Sequence, residues 1–347
     1  MDWEQSLWCM ACGVGIVISR TNSRLMSRKC FSYTIILALS LLVGACVRQP
    51  SNTTSSGIAT VVCDESFENI LNQEVEMFEY HYPNANIIPY YVDEKSAIDS
   101  LLEMKTQLIV VPTKLNDGQQ AYMKTKKRNV FQQRLAVDAV ALIVNKNNTL
   151  EELSISELRD IFTGKCTRWD EIEPSKLKDI NVIFDHKGSS TVRYMQDSIM
   201  KGEPFAENVY AQNSNKEVFD VVSKNKNAIG IIGVSWVTSD MNGREMSVAE
   251  HYQQLQKNDT TTLDFNDNVK VLKIRRDDEP IGYQPYQAYI FSGQYPLYRS
   301  IYVVSIAPRG SLSNGFLTFM TGFIGQKIIQ NTGVLPAAIQ PRIVQVN

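Results

Sequence analysis

From residue 58 onward the chain switches repeatedly between two hydrophobic periods, and this alternation limits its fold more than any single motif. IATVVC (58–63) reads as a buried strand, after which Phe67, Ile70, Leu71, Val75 and Phe78 fall at helical spacing. NIIPYYV (86–92) and QLIVV (107–111) repeat the strand signal, with helices predicted over 94–104 and 115–127. RLAVDAVALIVN (134–145) is a long apolar strand. Ser154-Ile-Ser-Glu157 then forms a capping-box pattern that predicts a short helix over 155–163. INVIF (180–184), a helix from about 190, a helix near 215–224 and NAIGIIGV (227–234) continue the series. Residues 238–268 are polar and without period, an irregular excursion. VKVLKI (269–274) and YRSIYVVSI (298–306) are late strands, and one helix over 311–329 closes the pattern. Strands separated by helices imply βαβ units and a mostly parallel sheet. At 347 residues the chain suits two packed domains better than one core.

In open α/β sheets, ligands bind outside the carboxyl ends of the strands. Four strand-to-helix junctions here carry a hydroxyl. Ser66 follows the first strand, Ser96 the second and Thr113 the third, while Ser189, Ser190 and Thr191 follow INVIF. Parallel strands bring such junctions to one sheet edge, where hydroxyls and backbone N–H groups make an oxyanion site without a metal. The plainer reading of each is a helix cap, worth about 1 kcal/mol, and it is the better one for Ser96. In DHKGSSTVRYMQD (185–197) more is at stake. Gly188 permits close backbone approach. Arg193 lies in the first helical turn, where a cation opposes the helix dipole, so it either stands in solvent or forks onto an oxyanion.

Other chemistry fits less well. Asp185 and His186 are neighbours on a strand end and point apart, and no G-x-S-x-G elbow surrounds Ser189, so no hydrolytic triad is expected. His81 and His251 lack ligand spacing, so neither a metal nor a cofactor is expected. The basic run Lys124, Lys126, Lys127 and Arg128 lacks interleaved aromatics and reads as a solvated helix face, which argues against nucleic acid. The net charge is −2, so an anion must be held by local donors, not by a global field.

The N-terminus reads as a leader. Arg28 and Lys29 precede FSYTIILALSLLVGAC, an apolar run too short to span a membrane and typical of a secretory signal. Its end, Val43-Gly44-Ala45-Cys46, resembles the bacterial lipobox, in which Cys46 would carry the lipid. Met26 makes a more ordinary start than Met1, and Cys9-Met-Ala-Cys12 has no partner pair. Residues 1–45 are therefore expected to be leader and 46–57 a lipidated tether. Cys63 and Cys166 are expected as buried free thiols.

AVDAVALIVNKNNTLEELSISELRDIFTGKCTRWDEI (136–172) resembles the phosphate-binding proteins of bacterial ABC importers. Leu158, Ile161, Phe162, Gly164 and Trp169 carry the resemblance there. GSST (188–191), NAIGIIG (227–233), YPLYRSIYVVS (295–305) and FMTGFIGQKIIQNTGVLPA (319–337) extend it. The resemblance implies an α/β, two-lobed periplasmic-binding-protein-like fold (type II), each lobe a mostly parallel sheet flanked by helices. Residues 58–137 and 295–347 would form lobe I and 138–294 lobe II, with crossing strands near 134–145 and 295–305 as the hinge. It also implies a monomeric, lipid-anchored protein on the periplasmic side of the cell envelope, delivering phosphate or a similar oxyanion to an ABC permease and catalysing nothing. The alternatives are the same fold with another oxyanion, or a sensor or surface interaction lipoprotein. Ser66 and Phe67, Ser96, and Ser189, Ser190 and Thr191 match the family's ligand loops. Thr113 stands where the family has an aspartate. The arginine and aspartate before the family's glycine-serine loop fall on Asp185 and Lys187, reversing the charges. Asp185 is then expected to accept a ligand proton, with Gly188 in the loop and Arg193 or Lys187 supplying positive charge.

Overall fold

The computed structural model describes residues 52–238, 247–256 and 265–338. The expected leader, Cys46 and residues 339–347 lie outside the described residues. Twelve strands are described. Three of them, β1 (Gly57–Asp64), β2 (Ala85–Val92) and β3 (Leu108–Val111), pair in parallel in the order β2-β1-β3. A second parallel group joins β8 (Ala228–Gly233), β6 (Asn181–Phe184) and β7 (Val209–Ala211). Two antiparallel strands connect the groups. One is β11 (Tyr298–Ser305), which pairs with β3; the other is β4 (Phe131–Asn145), which pairs with β11 and then β8.

The long strand β4 changes partners along its length. Residues 131–139 pair with β11, whereas Val140–Val144 pair with β8. Near-complete burial on both faces explains the unbroken apolar run from Ala139 to Val144. Asp138 interrupts that run at the changeover, and its register partner on β11 is Arg299. The strand expected over 269–274 is two short strands, Val269–Val271 on β4 and Lys273–Arg275 on Glu152–Ser154 in a separate two-stranded sheet. Within the excursion expected to be irregular, residues 248–256 form a helix, Val248–Gln256.

The capping box works as the sequence pattern predicts. Ser154 accepts from the Glu157 N–H and the Glu157 carboxylate accepts from the Ser154 N–H, starting the helix Ile155–Thr163. Leu158, Ile161 and Phe162 bury one face of it, and Gly164 ends it at φ 75°, a conformation in which other residues are strained. Trp169 is buried and donates Nε1–H to the Asn227 carbonyl (3.2 Å). Cys63 and Cys166 are free thiols; Cys63 is buried and Cys166 half-buried.

The single helix expected over 311–329 is two, Leu312–Thr321 and Phe323–Asn331, broken at Gly322 in extended backbone (φ −83°, ψ 178°). The break folds the second helix back on the first so tightly that a Cβ on Gly325 would lie 2.5 Å from the Phe319 carbonyl oxygen and 2.6 Å from Met320 Cα. Gly325→Ala should therefore cost about 1–3 kcal/mol, the range for overpacking a rigid site, despite alanine's better helix propensity. Urea unfolding of the two proteins measures this, and equal midpoints would contradict the close approach.

Candidate functional site

Because β1, β2 and β3 run in parallel, their carboxyl ends share one edge, where Asp64, Val92 and Val111 end the strands. The carboxyl end of β6 delivers Asp185 and the loop to Ser189. The first turn after β1 and the helix Ser190–Met195 after β6 meet. Ser66 Oγ lies 3.1 Å from Ser190 Oγ and 3.4 Å from Thr191 Oγ1, and all three residues are buried.

The proton directions in this cluster follow from the donor inventory. Ser190 Oγ–H donates to Asp64 Oδ1 (2.9 Å), which uses its only proton. Ser66 Oγ–H must then donate to Ser190, and Thr191 to Ser66. Ser190 Oγ also accepts from Arg299 Nη1 (2.9 Å). The Ser66 N–H points the same way, donating to Asp64 Oδ1 (3.0 Å). Every donor of the cluster thus runs toward the Asp64 carboxylate.

Arg299 is the buried cation of the site, 5% exposed. Its Nε donates to Asp138 Oδ2 (3.1 Å), and its guanidinium lies over the Phe67 ring, 4.9 Å from the centroid. Its Nη2 and the Asp64 Oδ2 have no hydrogen-bond partner among the described residues. Burial pushes the Asp138 carboxyl above its ordinary range, against the pull of Arg299. Burial likewise raises Asp185, whose two carboxylate oxygens are buried with no hydrogen-bond partner among the described residues.

The remaining expected residues are placed as follows. Ser189 is the helix cap, accepting from the Val192 N–H (3.1 Å). Ser96 is exposed and bonded twice to Asp93, so its contacts are those of a cap. Thr113 and Arg193 both bond the buried Glu94 carboxylate, and the Arg193 side chain remains 45% exposed. Gly188 and Lys187 are exposed; Gly188 has no left-handed φ, and a Cβ there would meet only His186 Cδ2 at 3.9 Å. His186 Nε2 pairs with the Glu65 carboxylate. Cys46 lies outside the described residues. Among the described residues no group of three or more His, Cys, Asp or Glu side chains is placed to hold a metal.

Three functional candidates are not among the expected site residues: Arg299, Asp138 and Asp64. The first two left a signal, a charge inside each of two apolar strands, since such residues are almost never buried unless paired. Asp64 shows in the sequence, with Glu65, as one of two acids beside the first junction.

The structure is a mixed α/β sheet with hydroxyl-bearing strand ends beside one buried guanidinium, and it is at the carboxyl ends of such strands that open α/β sheets bind ligands. The chain belongs to the PBP superfamily, whose domain model matches residues 48–322. It is similar to the phosphate-binding protein PstS of Pseudomonas aeruginosa, 23% identical over 332 residues, covering 90% of this chain and 94% of that protein. PstS of Staphylococcus epidermidis is 21% identical over 276 residues, covering 78% of this chain and 76% of the relative. The fold is that of a candidate phosphate ABC transporter substrate-binding protein from Clostridium perfringens, solved with bound phosphate. The TM-score is 0.64 at 20% identity, covering 81% of this chain and all of that one. An ABC-type phosphate transport receptor from Vibrio cholerae matches at TM-score 0.57 and 17% identity, covering 80% and 99%.

Proposed function

We propose that this chain is a monomeric, lipid-anchored solute-binding protein on the periplasmic side of the cell envelope, which binds phosphate and presents it to an ABC permease. The observation that carries this reading is the buried cluster of the Ser66, Ser190 and Thr191 hydroxyls, to which Arg299 is joined through Ser190. Arg299 supplies the charge that the resemblance led one to seek in Arg193 or Lys187. The names of the relatives in two bacterial genera support the choice of ligand. In this reading residues 58–137 with 295–347 and residues 138–294 are two lobes, and β4 and β11 are the hinge about which the cleft opens. Ligand binding works by differential affinity for open and closed forms, with no reaction catalysed.

A thermal-shift screen of phosphate, sulfate, molybdate and citrate tests the assignment. Phosphate at a hundredfold excess over its dissociation constant should add about 2.7 kcal/mol of stability. Ser190→Ala removes a hydroxyl and the Arg299 contact, and should weaken phosphate about ten- to hundredfold by titration calorimetry. If none of the four anions moves the midpoint, the transport reading fails. One observation favours a second reading, a sensor or surface interaction protein with the same fold. Three carboxylates are buried in the neighbourhood of one buried arginine: Asp138 bonds Arg299, Asp64 bonds the Ser190 that Arg299 contacts, and Asp185 follows β6, ahead of that serine's loop.

A further inference from the structure

Asp64 is the least expected member of the cluster. It is fully buried, with 0% exposure, at the end of β1. Its Oδ1 takes two donors, the Ser66 N–H and the Ser190 hydroxyl, while Oδ2 is buried with no partner among the described residues. Through Ser190 it also polarises the hydroxyls of Ser66 and Thr191 toward itself. A carboxylate oxygen and an oxyanion oxygen ask for the same donors at the same distances. Part of the contact is a local turn, since Asp64 caps the helical turn Glu65–Phe67. A local cap does not account for the rest. Ser190 is 126 residues away in sequence, and the proton it gives Asp64 is withheld from any ligand beside Arg299.

We infer that Asp64 is a built-in anion that competes with the ligand for the cleft's donors and lowers its affinity. The inference rests on the oxyanion reading of the cleft. For an oxyanion to bind, the Ser190 proton must turn from Asp64 to the ligand. The ligand then sits close to a desolvated like charge. The cleft therefore holds oxyanions more weakly than the same donors would without Asp64. The remaining acids nearby are Glu65, paired with His186 on the β6 side, and the buried Asp138 and Asp185. Of these, Asp138 is bonded to Arg299, and none of the three accepts a hydrogen bond from Ser66, Ser190 or Thr191.

The test is titration calorimetry of inorganic phosphate into the wild type, Asp64→Asn and Glu65→Gln at pH 7.5, with each protein's thermal midpoint measured alone. Asn keeps an oxygen for the Ser66 N–H and removes the charge; Asp64→Ser, also a good cap, replaces it should the Asn variant not fold. Asp64→Asn should bind phosphate roughly tenfold or more tighter than wild type, because like charges placed side by side are costly. Glu65→Gln should stay within about threefold, which excludes a general field effect. If wild type binds and the Asp64 variants bind no tighter, the competing-anion inference is wrong while phosphate binding stands. If wild type is silent and Asp64→Asn binds, the inference holds and native phosphate binding falls. If neither binds, both fall.

Discussion

Arg299→Met should both abolish phosphate binding and destabilise the fold by about 3–5 kcal/mol, the usual cost of removing one partner from a buried ion pair. The reason is the environment of Asp138. Its carboxylate is 1% exposed and accepts from Arg299 Nε at 3.1 Å. Deleting the guanidinium leaves that charge buried and forces it to protonate, which burial already favours. The same substitution removes the donor to Ser190 and the cation over Phe67. The two effects separate in the double variant Asp138→Asn/Arg299→Met. Removing both charges should recover much of the stability, since an unpaired charge costs more than an absent pair, while phosphate binding stays lost. Urea unfolding and calorimetry on the single and double variants measure both. A single variant as stable as wild type would mean that the pair is not buried as described.

Glu74→Met should stabilise the protein by about 1–3 kcal/mol at pH 8, the range for a buried polar group without a partner. Glu74 lies on the helix Glu68–His81 and is 1% exposed, and neither carboxylate oxygen has a hydrogen-bond partner among the described residues. It lines a small apolar cavity with Phe67, Leu71, Val110, Leu135, Ile301 and Met320. Burial alone raises its pKa well above the ordinary 4.5. The folded state therefore holds this proton more tightly than the unfolded chain does. The associated stability is fully present below the unfolded pKa and is lost as pH rises toward the folded value. Methionine has nothing to titrate, so the advantage of the variant should grow between pH 4 and pH 8. Thermal or urea unfolding at both pH values gives the answer. A gain no larger at pH 8 than at pH 4 would show that the carboxyl is not desolvated.

Much of the architecture was legible because period and burial are linked locally. The strands β1, β2, β3 and β6 and the helices that follow them stand where the alternation puts them, and the capping box at Ser154 marks a real helix start. The misread helix at 311–329 has a physical cause. Its apolar face continues through Gly322, so the periodicity carries no trace of the break. The strand at 269–274 splits because Val269–Val271 and Lys273–Arg275 find different partner strands.

The site divides the same way. Sequence alone determined that Ser66, Ser190 and Thr191 stand at strand-to-helix junctions, because a junction is a local property; β1 and β6 run in opposite directions, so the meeting of their ends is not. It did not determine which cation meets them. Arg193 and Lys187 are near the serine loop in sequence, yet Arg193 is bonded to Glu94 and Lys187 is exposed. Arg299 arrives from β11, 109 residues from Ser190, because pairing with β4 sets it opposite Asp138. Only the tertiary structure decides such a meeting, since strand register between distant segments follows from the packing of the whole sheet and leaves no pattern in either segment alone.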